Sequence, residues 1–167
     1  HFLNDILKLE GEHIIRNVQF LSTVQDPEIA AKKQSIVDVL CVDESGRQFV
    51  IEMQVARTTG FKERAFYYAS KAYVSQMVKG GKYEDLKEVI FIAIIDHELF
   101  SNKTHYHSSH ALCDQKTHQQ DLKGIRFEFL ELPRFEKALD TISTMVEKWY
   151  YFFKYAPQTT PEELDGL

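Results

Sequence analysis

The stretch Ser35-Ile-Val-Asp-Val-Leu-Cys-Val-Asp-Glu-Ser-Gly-Arg-Gln-Phe-Val-Ile-Glu-Met-Gln-Val-Ala56 decides how this chain is read. Two β-branched, apolar runs, 35–42 and 48–56, flank Asp43-Glu44-Ser45-Gly46. That is the pattern of a β-hairpin. Gly46 suits the left-handed third position of a three-residue loop, Glu44-Ser45-Gly46. Such a loop sets Asp43 opposite Arg47, and opposed residues then carry numbers summing to ninety. Asp38 falls opposite Glu52, with Cβ atoms roughly 4.5–5.5 Å apart. Gln54, two residues on, points to the same face.

Asp38, Glu52 and Gln54 are polar among Val, Ile, Leu and Met, a costly placement unless they are paired or ligated. Two opposed carboxylates repel. They persist together if a cation sits between them or if one keeps its proton. A hard divalent ion, Mg²⁺ or Mn²⁺, fits an oxygen-rich site of one or two carboxylates. A shared proton, or solvation at a sheet edge, is the alternative the residues leave open, and a one-residue register slip would part the pair.

Outward from the hairpin, residues 2–15 carry a helical apolar stripe that Gly11 ends, and 18–24 suit a short strand. Residues 25–33 are polar and suit a loop or short helix. The spacing predicts a helix over 61–79 stopped by Gly80-Gly81. Residues 88–95 form a continuous apolar run, a strand covered on both faces. Strands over 104–113 and 124–132 and an amphipathic helix over 135–155 complete the pattern. The sum is an α/β domain with a mixed sheet.

The 167 residues suit one domain, and 44% hydrophobic with 27% charged residues exclude a disordered or fibrous chain. Cys41 and Cys113 make no disulfide framework, so a reducing, cytoplasmic setting is expected. The apolar runs fall far short of the ~18–20 residues of a membrane span. A formal charge of -5 argues against a protein that coats nucleic acid by bulk attraction. Yet Lys62, Arg64, Lys71, Lys79 and Lys82 gather on and just after one helix. The net charge therefore leaves room for weak, salt-sensitive, metal-assisted DNA binding.

Asp38 followed, after a Gly-containing turn, by Glu52-Met53-Gln54 resembles the D…E-x-K signature of the PD-(D/E)XK nuclease superfamily. It is closer still to the recombination-promoting nuclease (Rpn) branch, also labelled transposases, which carries E-x-Q. Lys33 stands five residues before Asp38, as in that branch. Phe61, Arg64, Tyr67 and Tyr68 match its "f..R..yY" helix, and Gly80, Gly81 and Tyr83 its "G..Y" turn. Phe129-Leu130-Glu131-Leu132-Pro133-Arg134-Phe135 matches its "EL-x-[KR]F" stretch.

The resemblance implies a restriction-endonuclease-like mixed sheet core flanked by helices. It implies a metal-dependent DNA endonuclease linked to recombination or mobile elements, with DNA and a divalent metal as partners and a homodimer allowed. Asp38 and Glu52 would bind the ion with the Met53 carbonyl, and Gln54 would orient water or contact the ion. A further acid from the first helix would fall to Glu10 or Glu12. The chain opens on His1, and the family's usual segment ahead of Phe2 has no counterpart. We therefore expect an N-terminally truncated nuclease-like domain over 1–156 and an acidic tail over 157–167. Gln54 stands where most relatives carry Lys, so a catalytically inactive module binding DNA or a protein is the competing reading.

Arg64, Tyr68 and Lys71 share one helix face. They are the candidate DNA contacts, against the plainer reading of a snorkelling Arg with core tyrosines. His97, His105, His107, His110, Cys113 and His118 match no zinc spacing, so polar strand and loop histidines are expected. Cys41 and Cys113 read as packing residues.

Overall fold

A computed structural model describes residues 1–25 and 35–155. In chain order the elements are α1 (Phe2–Leu7), β1 (Val18–Phe20), β2 (Val24–Gln25), β3 (Ser35–Ile36), β4 (Val39–Asp43) and β5 (Gln48–Gln54). Then come α2 (Phe61–Ser75), β6 (Val89–Ile95), β7 (His107–Ala111), β8 (Ile125–Glu131) and α3 (Met145–Tyr155). Single turns of 3₁₀ helix lie at Gly11–His13, Tyr83–Asp85, Leu132–Arg134 and Leu139–Thr141.

The hairpin has the expected register. Val39 pairs with Ile51, Leu40 with Val50, Cys41 with Phe49 and Val42 with Gln48, all antiparallel. Gly46 adopts a φ of 88°, and its N–H donates to the Asp43 carbonyl at 3.0 Å. The Asp43 carboxylate closes the turn by accepting from Ser45 Oγ at 2.8 Å and Arg47 Nε at 2.8 Å. Burial alone would raise the Asp43 carboxyl, but these bonds outweigh it and hold the group below its ordinary value.

Six strands form one sheet in the order β1-β4-β5-β6-β8-β7. β5, β6 and β8 run parallel; β4 joins β5 antiparallel, and the edge strands β1 and β7 pair antiparallel with β4 and β8. β2 and β3 make a separate two-stranded ribbon. All seven residues of β6 are buried because α2 covers one face of the sheet and α1 and α3 cover the other. Ala65, Ala69 and Ala72 form the buried stripe of α2, and their small side chains let the helix settle close to the sheet. The fold is α/β, consistent with a restriction-endonuclease-like core.

Several boundaries differ from the sequence expectation, each for a local reason. The run 35–42 is two strands, broken at Val37-Asp38, and 18–24 is likewise split between the main sheet and the ribbon. The first helix stops at Leu7, where Lys8 turns left-handed with φ 53°. The second stops at Ser75 because the Gln76 side chain brackets the Lys87 backbone, accepting from its N–H and donating to its carbonyl. The helix expected over 135–155 begins only at Met145. Thr144 and Glu147 form a reciprocal capping box there, with Glu147 N–H to Thr144 Oγ1 at 3.2 Å and Thr144 N–H to Glu147 Oε2 at 3.2 Å. The strands expected over 104–113 and 124–132 are trimmed to β7 and β8. The expectations for most of 25–33 and for the tail 157–167 lie outside the described residues. Among the described residues no helix is long and apolar enough to cross a membrane.

Candidate active site

The ladder between β4 and β5 stops at Val39–Ile51, one pair short of Asp38 and Glu52. Backbone parity gives the reason. Met53 turns its N–H and C=O toward the β4 side, as Ile51 does, but β4 has ended there. Its N–H would be orphaned. Asp38 bends out of the strand and supplies the missing acceptor, with Met53 N–H to Asp38 Oδ2 at 2.7 Å. In return the Asp38 backbone N–H bonds the Glu52 carboxyl. The two acids are therefore joined by a clasp between side chains and main chain, which corrects the expected directly opposed pair.

The two carboxyls sit in contrasting surroundings. Asp38 is exposed, whereas Glu52 is only 4% exposed, on the sheet face beneath α2. Burial, and next the Asp38 charge, push the Glu52 carboxyl up to about 7, against the pull of Arg64 and the Asp38 N–H. Its Oε1 is buried without a hydrogen-bond partner. A buried acid with an idle oxygen, beside a second acid, is the kind of perturbed group that marks functional sites.

Two more groups project from the end of β5. Met53 is half exposed, and its carbonyl accepts from Gln54 Nε2 at 3.1 Å. The Gln54 carbonyl is held in the sheet by Asp96 N–H at 2.8 Å, which fixes the strand end from which its amide projects. With Nε2 donating to that carbonyl, the side-chain amide keeps its oxygen as an acceptor.

α2 brings in the cationic partner. Arg64 lies against the Phe61 ring at 5.1 Å, and its Nε and Nη2 are buried without hydrogen-bond partners. Its charge acts on Glu52 and on Tyr68. The Tyr68 hydroxyl is raised by burial first and by the nearby Glu52 second, with Asp38 also contributing. Asp38, Glu52, Arg64 and Tyr68 thus form one electrostatic cluster. Lys71 is half buried on the same helix and is not among the charges acting on Glu52 or Tyr68. Lys33 lies outside the described residues.

The residues present fit a divalent cation modestly. The donors are hard oxygens, and the idle Glu52 Oε1 gives the site an unmet need that a cation would satisfy. Among the described residues no group of three or more His, Cys, Asp or Glu side chains could hold a metal. Neither Glu10 nor Glu12 completes such a set; both are exposed, in and beside the 3₁₀ turn after α1. The sequence leads to polar strand and loop histidines, and two of them, His107 and His110, lie on β7. His107 bonds Glu128 at 3.0 Å, and His110 lies 3.0 Å from Lys103 Nζ. Both cysteines are free thiols, Cys41 buried and Cys113 exposed.

The Glu131–Arg134 stretch has a role that sequence reasoning missed. The Glu131 carboxylate, 1% exposed, accepts from Leu99 N–H at 2.6 Å and Phe100 N–H at 3.2 Å. Arg134 Nε lies 3.5 Å from it, and Arg134 Nη2 donates to Glu98 and to the Phe100 carbonyl. The pair pins the loop after β6 to the end of β8. The sequence marked this stretch by resemblance and by an acid and a base three apart, but nothing in it pointed to the loop after β6 as their partner.

The mixed sheet thus carries Glu52 near the end of β5 beside Asp38 in the break before β4, with Arg64 and Tyr68 of α2 in the same electrostatic cluster. A family model described as PD-(D/E)XK nuclease family transposase matches residues 1–165, and the chain belongs to that family. No curated protein and no solved structure matches the chain.

Proposed function

We propose that this chain is a divalent-metal-dependent DNA endonuclease, with Asp38, Glu52 and Gln54 as its catalytic residues, in a setting of recombination or mobile elements. The observation that carries the reading is the buried Glu52 carboxyl with its idle Oε1, beside the exposed Asp38 and under Arg64. Family membership supports a nuclease-like or mobile-element role.

Asp38, Glu52 and the Met53 carbonyl would hold Mg²⁺ or Mn²⁺, which would supply Lewis-acid stabilisation of charge at the phosphodiester. Arg64 brings two unsatisfied guanidinium nitrogens, suited to a phosphate oxygen. It is held against the Phe61 ring, so little is lost in ordering it. Tyr68 offers a hydroxyl donor to the same phosphate, and Lys71 a further cation along α2. Gln54 orients water through its amide, without the positive charge a Lys would bring. Glu52 must be ionised to serve, so the active form gains population as pH rises through about 7.

The whole of 1–156 is read as one nuclease-like domain. The free thiols of Cys41 and Cys113 suit a reducing, cytoplasmic compartment. A second reading, a non-catalytic module binding DNA or protein, is favoured by Gln54, whose amide nitrogen is engaged by the neighbouring Met53 carbonyl. Plasmid nicking in Mg²⁺ and Mn²⁺ separates the two. The proposal expects nicking that Asp38→Ala and Glu52→Ala each abolish while the fold survives. A wild type that shifts plasmid on a gel yet never cuts it supports the second reading, and cutting that survives both substitutions removes these residues from the site.

A further inference from the structure

On the flank of α2 away from Glu52 lies an apolar cleft of about 310 Å³. Phe66, Phe127, Phe129, Phe100, His110 and Lys62 supply most of its character. Phe66 and Phe127 stack at 5.6 Å with planes 17° apart, and Phe127 and Phe129 lie nearly parallel at 9°. Phe100 and His110 stack at 5.1 Å. The cleft therefore presents flat aromatic faces in a small space. Its volume sits at the lower end of the ~300–1,000 Å³ typical of ligand sites.

Two ammonium groups flank the Phe100 ring that lines the cleft. Lys62 Nζ lies 4.8 Å and Lys103 Nζ 4.6 Å from the Phe100 ring centre. Lys103 Nζ also lies 3.0 Å from His110 Nε2. The ammonium can only donate, so Nε2 accepts and His110 carries its proton on Nδ1. Cations around stacked rings complement a nucleotide, which joins a flat apolar base to an anionic phosphate.

The cleft is in register with the proposed active site. Glu52 pairs with Ala93, and Ala93 with Phe129, so the three stand abreast across parallel strands. Val50, Phe91 and Phe127 form the next row. Glu52 and Phe129 are two strand spacings apart, about 10 Å. α2 lies between, with Arg64 and Tyr68 on the acid side and Lys62 and Phe66 on the cleft side.

We propose that this cleft takes a single unstacked nucleobase of the DNA strand whose backbone lies at Asp38 and Glu52. The base packs against the stacked Phe66–Phe127 pair, and Lys62 meets the adjoining phosphate. The inference rests on the nuclease reading and adds to it a preference for single-stranded or locally unpaired DNA, whose bases are free to leave the stack.

The test uses oligonucleotides carrying the fluorescent base 2-aminopurine, single-stranded or fully paired, with wild type, Phe66→Ala and Leu112→Glu in Ca²⁺. Phe66 is 54% and Leu112 52% exposed, so both variants should fold. Wild type is expected to bind the single strand more tightly than the duplex and to change the 2-aminopurine emission. Phe66→Ala should lose about tenfold in single-strand affinity together with that signal, as expected for one stacked base. Leu112→Glu should weaken binding similarly by placing an anion at the mouth. Unchanged affinity and emission in both variants, with nicking of plasmid intact, would overturn the base site and leave the nuclease reading standing. A wild type that binds no DNA would overturn both. Self-association in sedimentation that Phe66→Ala abolishes, with DNA affinity unchanged, would overturn the base site and assign the cleft to a second copy of the chain.

Discussion

Replacing Glu52 by Gln should stabilise the metal-free protein, and only at neutral and alkaline pH. The Glu52 carboxyl is raised from 4.5 to about 7, by burial first and by Asp38 second. A raised acid holds its proton in the folded state where the unfolded chain has released it. Stability is therefore unaffected below 4.5, declines as pH climbs toward about 7, and stays reduced by a constant amount above that. At about 1.4 kcal/mol for each pH unit of displacement, the penalty above pH 7 is about 3 kcal/mol. Gln keeps an oxygen for the Asp38 N–H and cannot ionise, so Glu52→Gln escapes the penalty. For a chain of this size the gain corresponds to a rise in melting temperature of about 6–12 °C. The assay is thermal and urea unfolding in EDTA between pH 5 and 9. Wild type and variant should converge toward pH 5 and separate by pH 8, and Mn²⁺ should stabilise the wild type while leaving Glu52→Gln unmoved. A variant less stable than wild type at pH 8, or a gap that does not change with pH, would refute the reasoning about this buried acid.

Three other outcomes are expected. Arg64→Ala should weaken DNA binding about tenfold and reduce the slope of log affinity against log salt by about 1, read by anisotropy across a salt series, because one phosphate contact is lost. Glu131→Ala should destabilise the fold by about 2–4 kcal/mol in urea unfolding, since two loop N–H groups lose their buried acceptor while Arg134 keeps Glu98 and the Phe100 carbonyl. Glu147→Ala should cost about 1–2 kcal/mol at pH 7 by removing the cap of α3. The Glu147 carboxyl is lowered to about 2, chiefly by Lys137, so its contribution is present above 4.5 and lost as pH falls toward 2. The gap between variant and wild type should close over that acid range.

The hairpin was legible in the sequence to the residue, because Gly46 and Asp43 dictate one turn and the turn dictates the register. The central strand was legible too, since an unbroken apolar run has to be covered on both faces. The break at Asp38 was not. It depends on where β4 ends relative to Met53, and a strand pattern carries no information about a backbone N–H left without its partner. The start of α3 could have been read from Thr144 and Glu147, but the amphipathic period of the preceding residues suggested a longer helix. The acids and Arg64 were named from spacing and resemblance. Their contrast, with Asp38 exposed and Glu52 buried with an idle oxygen, is a product of α2 packing on the sheet. The Phe66–Phe127 stack and the Glu131 clasp join residues far apart in the chain, so no local pattern marks them.

The central claim is that Asp38 and Glu52 together hold a divalent cation. The most direct measurement is anomalous diffraction from crystals soaked in Mn²⁺ at pH 8, where Glu52 is ionised. The expected result is a single Mn²⁺ peak touching carboxylate oxygens of both Asp38 and Glu52, and absent from Glu52→Gln crystals. Mn²⁺ bound elsewhere with the pair left bare, or a peak that persists at the pair in Glu52→Gln, would contradict it.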